Sequence, residues 1–175
     1  MTTTDSTPSG AGASEVPSGA TGGPSGSSNL DSYNKAIIEE LQKDGRRTYG
    51  AIAEAVGLSE AAVRQRVQKL RDNGVMQIVA VTDPLQVGFR CQAMVGIKAE
   101  GDAREVANRL AAIDDIEYVV VCTGAYDILV ELVCENQEAL LELLNGVVRQ
   151  VPGVLHTETF MYLTLTKQTY SWGTR

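Results

Sequence analysis

The chain has 175 residues, 43% apolar and 21% charged, with 15 Lys and Arg against 22 Asp and Glu and a formal net charge of −7. At roughly 150 residues per domain, that length holds one domain or two small ones and excludes a large multi-domain enzyme. The longest apolar runs, such as Tyr118–Cys122, fall far short of the ~20 residues that span a bilayer. No charged segment followed by an apolar stretch opens the chain, so a cytoplasmic protein without a membrane partner is expected. Cys91, Cys122 and Cys134 are odd in number and lack CxxC spacing, which argues against a disulfide or zinc framework. An acidic total ordinarily counts against nucleic acid, but it averages over the whole chain.

Residues 1–28 contain 6 Gly, 7 Ser, 5 Thr and 3 Pro, a composition that cannot bury enough surface to offset ordering entropy, and they read as a flexible tail. From Leu30 the pattern turns helical. Asp31 or Ser32 caps a helix with Leu30, Ile37, Ile38 and Leu41 inward, ended by Lys43-Asp44-Gly45. Thr48 caps a short second helix stopped by Gly57. Ser59 and Glu60 open a third, whose stripe Val63, Val67, Leu70 is spaced i, i+4, i+7 and closes at Asn73-Gly74. The β-branched run Gln77–Thr82 reads as a strand or wing, and Asp83-Pro84-Leu85 as a domain break.

The remainder alternates types. Strands are expected over Cys91–Ala99, Ile116–Thr123, Asp127–Cys134 and Val154–Lys167, with helices over Ala103–Ala112 and Gln137–Gln150. The fold class is therefore α+β. A winged helix-turn-helix occupies residues 29–82, a linker 83–90, and a βαββαβ ferredoxin-like sandwich 91–175. In the third strand Ile128, Val130, Leu132 and Cys134 form an apolar face for the helices, yet the opposite face, Asp127, Leu129, Glu131 and Val133, is half apolar. The last strand likewise shows Leu155, Met161, Leu163 and Leu165 on one side, and Phe160 and Tyr162 on the other. With both helices on one side, the second face needs a partner, and a homodimer by sheet stacking supplies it.

The charge divides unevenly. Residues 29–75 carry net +1, residues 76–175 net −6 and the tail −2. The third helix holds Arg64, Arg66, Lys69 and Arg71 against Glu60 and Asp72, so local phosphate contact is compatible with an acidic total. Two helices joined by a short Gly-Leu-Ser turn match a helix-turn-helix, whose second helix enters the major groove. Arg64, Gln65 and Gln68 are base-reading candidates, because Arg pairs bidentately with guanine and Gln with adenine; Ala61 suits a thymine methyl. Arg46, Arg47, Thr48 and Tyr49 precede or open the second helix and suit phosphate, and Ser59, Lys69 and Arg71 complete the DNA-binding set. The plainer reading is a solvated face of a three-helix bundle; the helix–turn–helix punctuation and the wing-like run favour DNA. Arg66 lies nearer the buried side, and reads equally as a DNA contact or as a brace to an acidic partner.

Thr123-Gly124-Ala125-Tyr126-Asp127 joins two strands. Free amides around Gly124 suit an α-carboxylate and Asp127 an α-ammonium, so a free amino acid is a sensible guest. A plain hairpin, with Gly124 at positive φ and Asp127 bonding its own backbone, accounts for the same residues. Tyr126 is either a pocket wall or a packed strand residue. No HExxH, GxSxG, P-loop or GxGxxG in a strand–helix setting occurs, so no enzyme and no cofactor are expected.

The stretch Leu30–Gly88, with DGRRTYGAIAEAVGLSEAAVRQRVQKLRDNGVMQ and DPLQVGF, resembles the Lrp/AsnC family of prokaryotic transcription regulators, and TGAYDILVEL is similar to that family's amino-acid-responsive domain. The residues around the third helix are also similar to actinobacterial members. The resemblance covers everything after the tail. It implies a sequence-specific regulator of amino-acid metabolism that binds double-stranded DNA as a dimer and assembles to octamers. It also implies an amino-acid effector held between dimers by the loop Thr123–Asp127. The competing classes are the small-molecule-binding regulatory module of a metabolic enzyme, which would not need the N-terminal unit, and an architectural DNA-compacting protein.

Overall fold

The computed structural model describes residues 30–170 and 172–174; the tail expected over residues 1–28 lies outside them. Two compact units divide between Ile78 and Val79, ahead of the Asp83-Pro84 break, and residues 172–174 group with the first. Trp172 is exposed.

The first unit is three helices, α1 (Ser32–Lys43), α2 (Tyr49–Val56) and α3 (Glu60–Asp72). Each begins on a side-chain cap. Asp31 accepts from the Asn34 N–H, Thr48 from Ala51 and Ser59 from Ala62, which satisfies amides that have no partner inside the helix. Between α2 and α3 the chain turns on Gly57 at φ 72°, a left-handed conformation that only glycine adopts without steric cost. Ile37, Leu41, Ile52, Ala53, Val63 and Val67 form the core, so the inward stripes expected from periodicity meet one another.

Beyond α3 the expected wing does not form. Residues 77–82 belong to no strand, and none of their backbone groups has a partner among the described residues. A β-prone sequence becomes a strand only where a second strand completes the ladder, and none lies beside it among the described residues. Ile78, Val79 and Val81 are left exposed.

The second unit is a four-stranded antiparallel sheet in the order β2-β3-β1-β4, built from β1 (Cys91–Ala99), β2 (Tyr118–Val121), β3 (Ile128–Cys134) and β4 (Val154–Met161). The helices α4 (Ala103–Ala111) and α5 (Gln137–Glu142) cover one face. Val106, Leu110, Leu140, Leu144 and Val148 pack there on Ala93, Val95, Ile97, Ile128, Val130 and Leu132. This is the expected βαββαβ sandwich.

Three expectations need correction. The single helix over Gln137–Gln150 is helical throughout but changes pitch, with a π turn at Leu143–Val147 and a 3₁₀ turn at Val148–Gln150. Gly146 weakens the regular helix there, and the Asn145 carbonyl accepts from Gln150 Nε2 at 2.8 Å. β4 ends at Met161 rather than Lys167, because its partner β1 begins at Cys91 and Tyr162 makes the last bond, to Gln92 O. The side assignment of Leu155 also fails. A register shift at Lys98/Ala99 pairs Ala99 with Val154, so Val154 packs on the core and Leu155 turns out to solvent.

The other face of the sheet carries no helix. Its residues include Met94, Gly96, Leu129, Glu131, Val133, Tyr118 and Phe160. Tyr126 lies across Gly96, and its ring meets Phe160 edge-on at 5.9 Å. Buried Gln92 donates to Glu131 at 3.0 Å. Burial and a hydrogen bond with Glu131 push the Tyr162 hydroxyl up to about 12.

Candidate DNA-reading helix and effector loop

With Val63, Val67 and Leu70 buried, α3 turns Ala61, Arg64, Gln65, Gln68, Lys69 and Arg71 to solvent. Two of the base-reading candidates are held by acids on their own helix. Arg64 Nη2 donates to Glu60 at 2.8 Å and its guanidinium lies 5.1 Å above the Tyr49 ring, so α2 and α3 both position it. Gln68 Nε2 donates to Asp72 at 2.7 Å. Gln65 and Lys69 line a groove shared with Asn34, Leu70 and Asn73.

The remaining candidates take different roles. Thr48 and Ser59 use their hydroxyls as helix caps, and Arg46 is exposed. Arg47 is ion-paired with Glu40, which also holds Lys43 at 2.8 Å, so its guanidinium braces the α1–α2 turn. Arg66 resolves as a brace. It donates to Asp31 at 2.6 Å and to Asn34 at 2.9 Å and lies over Tyr33, which ties α3 to the start of α1. The Asn34 amide first, and Arg66 second, hold the Asp31 carboxyl below the usual aspartate range.

In the second unit Gly124 takes φ 126°, and Thr123, Gly124 and Ala125 are exposed. The backbone N–H groups of residues 123–126 have no partner among the described residues. Asp127 is already engaged. One carboxylate oxygen accepts from the Ala99 N–H at 3.0 Å and the other from Lys98 Nζ at 3.3 Å, while its own N–H bonds Ile97 O. The Ala99 amide is the main reason its carboxyl sits below the ordinary value. Tyr126 is the packed residue described above, on Gly96 and Phe160.

Sequence reasoning missed Lys98, Ala99 and Gly96, which lie far along the chain from the residues they meet. Glu60 and Asp72 were within reach, since each stands four positions from the side chain it holds.

Residues 30–71 match the model of the AsnC-type helix-turn-helix domain, and residues 89–175 that of a C-terminal dimeric alpha+beta barrel domain. The HTH-type transcriptional regulator FL11 of Pyrococcus furiosus is 36% identical over 142 residues, which is 80% of this chain and 93% of that protein.

The chain belongs to the Lrp/AsnC family.

It is a DNA-binding helix-turn-helix transcription regulator. Among solved family structures, the leucine response regulatory protein LrpA of Mycobacterium tuberculosis matches with a TM-score of 0.72 at 28% identity, covering 79% of this chain and 96% of that one. A transcriptional regulator of Neisseria meningitidis, solved as a complex with L-Met, matches with a TM-score of 0.69 at 26% identity, covering 81% and 95%. Among the described residues of this family member, no helix is long and apolar enough to cross a membrane.

Proposed function

We propose that α3 is the helix by which this regulator reads double-stranded DNA in the major groove. Arg64, Gln65 and Gln68 contact base edges, Ala61 a thymine methyl, and Arg46, Thr48, Tyr49, Ser59, Lys69 and Arg71 the phosphates. The observation that carries this is the split of α3 into a buried stripe, Val63 and Val67, and a solvent face bearing every base-reading candidate. Arg47, held by Glu40, serves as scaffold. The protein acts in the cytoplasm, has no enzymatic activity, and comprises a tail at residues 1–28, a DNA-binding unit at 29–82, a linker at 83–90 and a sandwich at 91–175.

A homodimer is supported by the sheet face without a helix and by the β-prone run 77–82, whose backbone groups have no partner among the described residues. Such a dimer reads two half-sites about 34 Å apart, one helical turn of DNA, and assembles further to an octamer. Size-exclusion chromatography with light scattering is expected to return at least a dimer at micromolar concentration; a stable monomer would overturn it.

The effector is a free amino acid bound at Thr123–Asp127 between dimers. The free amides of residues 123–126 suit its α-carboxylate, and the L-Met complex of the Neisseria relative supports the ligand class. Tyr126 and Asp127 fix the loop: Tyr126 by packing on Gly96, and Asp127 by holding Ala99 and Lys98.

One experiment tests the reading. A duplex enriched by the full-length chain from a randomised pool is titrated against the wild type, R64A and Q68A, with and without each standard amino acid. Each substitution is expected to cost about 1–3 kcal/mol on the enriched duplex and far less on a scrambled one, and at least one amino acid to shift the wild-type affinity. A uniform, salt-dependent loss on both duplexes would mark an architectural protein instead.

A further inference from the structure

The two base-reading side chains of α3 that have an internal partner share one device. Arg64 is held by Glu60 and Gln68 by Asp72, each across one helical turn and each exposed. We infer that Glu60 and Asp72 are specificity-determining positioning residues of the recognition helix, an inference that rests on the reading of α3 as the DNA-contacting helix.

Chemistry favours such a role over an incidental surface pair. A guanidinium has five N–H donors in a rigid fork; Glu60 engages Nη2, and Tyr49 supports the flat face. The remaining donors meet the O6 and N7 acceptors of a guanine without release of the carboxylate. For Gln68 the carboxylate decides which way the amide points. Asp72 only accepts, so Nε2 faces it, and Oε1 with the second Nε2 hydrogen is left to pair an adenine edge. Both acids also repel phosphate. Without them Arg64 is free to swing to the nearest backbone oxygen, which strengthens binding to any sequence and discriminates none. A protein that must find its site among many needs that difference in affinity more than it needs affinity itself.

The test uses the full-length chain, the enriched duplex and its scrambled counterpart. E60Q and D72N are expected to raise affinity for the scrambled duplex several-fold and to lower the enriched-to-scrambled ratio about tenfold each, the scale of one lost bidentate base contact. Selection repeated with E60Q is expected to lose preference at the base pair that R64A also blurs. E54Q is the charge control, because Glu54 is exposed on α2 and makes no bond to a reading side chain among the described residues. It should move both affinities together and leave the ratio unchanged. The inference is overturned if E60Q and D72N behave as E54Q does. It is equally overturned if they lower both affinities together with the melting temperature, which would make the acids structural. Loss of discrimination in R64A and Q68A, with the ratio intact in E60Q and D72N, removes this inference and keeps the parent reading. Full discrimination in R64A and Q68A removes both.

Discussion

Alanine at Gly96 is expected to destabilise the C-terminal unit by about 1–3 kcal/mol, and valine by more, through overpacking of an already filled site. A β-carbon at this buried position would lie 2.6 Å from two carbons of the Tyr126 ring, closer than any real contact. These are ring carbons near the attachment point, so a simple swing of a flexible tip does not relieve the clash. Tyr126 is held on the far side by its edge contact with Phe160, worth about 0.5–1.5 kcal/mol beyond area burial. It is held below by the Asp127 backbone, which bonds Ile97 and Cys122. Urea denaturation of G96A, Y126A and the double variant checks this. The double variant should be clearly more stable than the sum of the two losses, because removal of the ring makes room for the methyl. Strict additivity would mean that Gly96 is needed for something other than the ring.

Alanine at Ile52 is expected to abolish DNA binding while the C-terminal unit stays folded. Ile52 is fully buried at the centre of a small core with Ile37, Leu41, Ala53, Val63 and Val67. Cavity formation by such a truncation costs about 2–5 kcal/mol. At about 0.05–0.15 kcal/mol per residue, a unit of roughly 50 residues holds about 2.5–7.5 kcal/mol in all, so the truncation removes most of it. The sandwich has a larger core of its own. Thermal unfolding followed by circular dichroism should show a lost or lowered first transition beside an unchanged second one, with binding to the enriched duplex gone. A single transition that shifts as a whole would contradict the independence of the two cores.

Much of this molecule was readable one residue at a time. Asp31, Thr48 and Ser59 cap their helices as expected, and the stripes Val63-Val67-Leu70 and Ile128-Val130-Leu132-Cys134 are buried as their spacing requires. β1 begins and ends where its apolar run does. The candidate site divides along the same line. That Arg64, Gln65 and Gln68 share the outward face follows from a period of 3.6, and four-residue spacing puts Glu60 and Asp72 beside two of them.

Other features depend on residues brought together from far along the chain. Gln77–Thr82 has the composition of a strand but no neighbour to bond among the described residues, and Leu163 and Leu165 alternate correctly past the point where β1 begins. The shift at Lys98/Ala99 exchanges Val154 for Leu155 in the core, a swap that period-two reasoning cannot detect. Arg66 finds Asp31 35 positions away, and Asp127 finds the Ala99 amide 28 away.

Charge follows the same division. Sequence alone determined that a net charge of −7 conceals a base-rich third helix, because charge and helical period are both local properties. Tertiary structure decided which basic side chains of the N-terminal unit are engaged between its helices. It turned Arg66 to Asp31 and Arg47 to Glu40, whereas the pairing of Arg64 with Glu60 follows from their spacing on one helix. The physical reason is that an ion pair forms with whichever carboxylate the packing of three helices brings within reach, and that packing is a property of the assembled core.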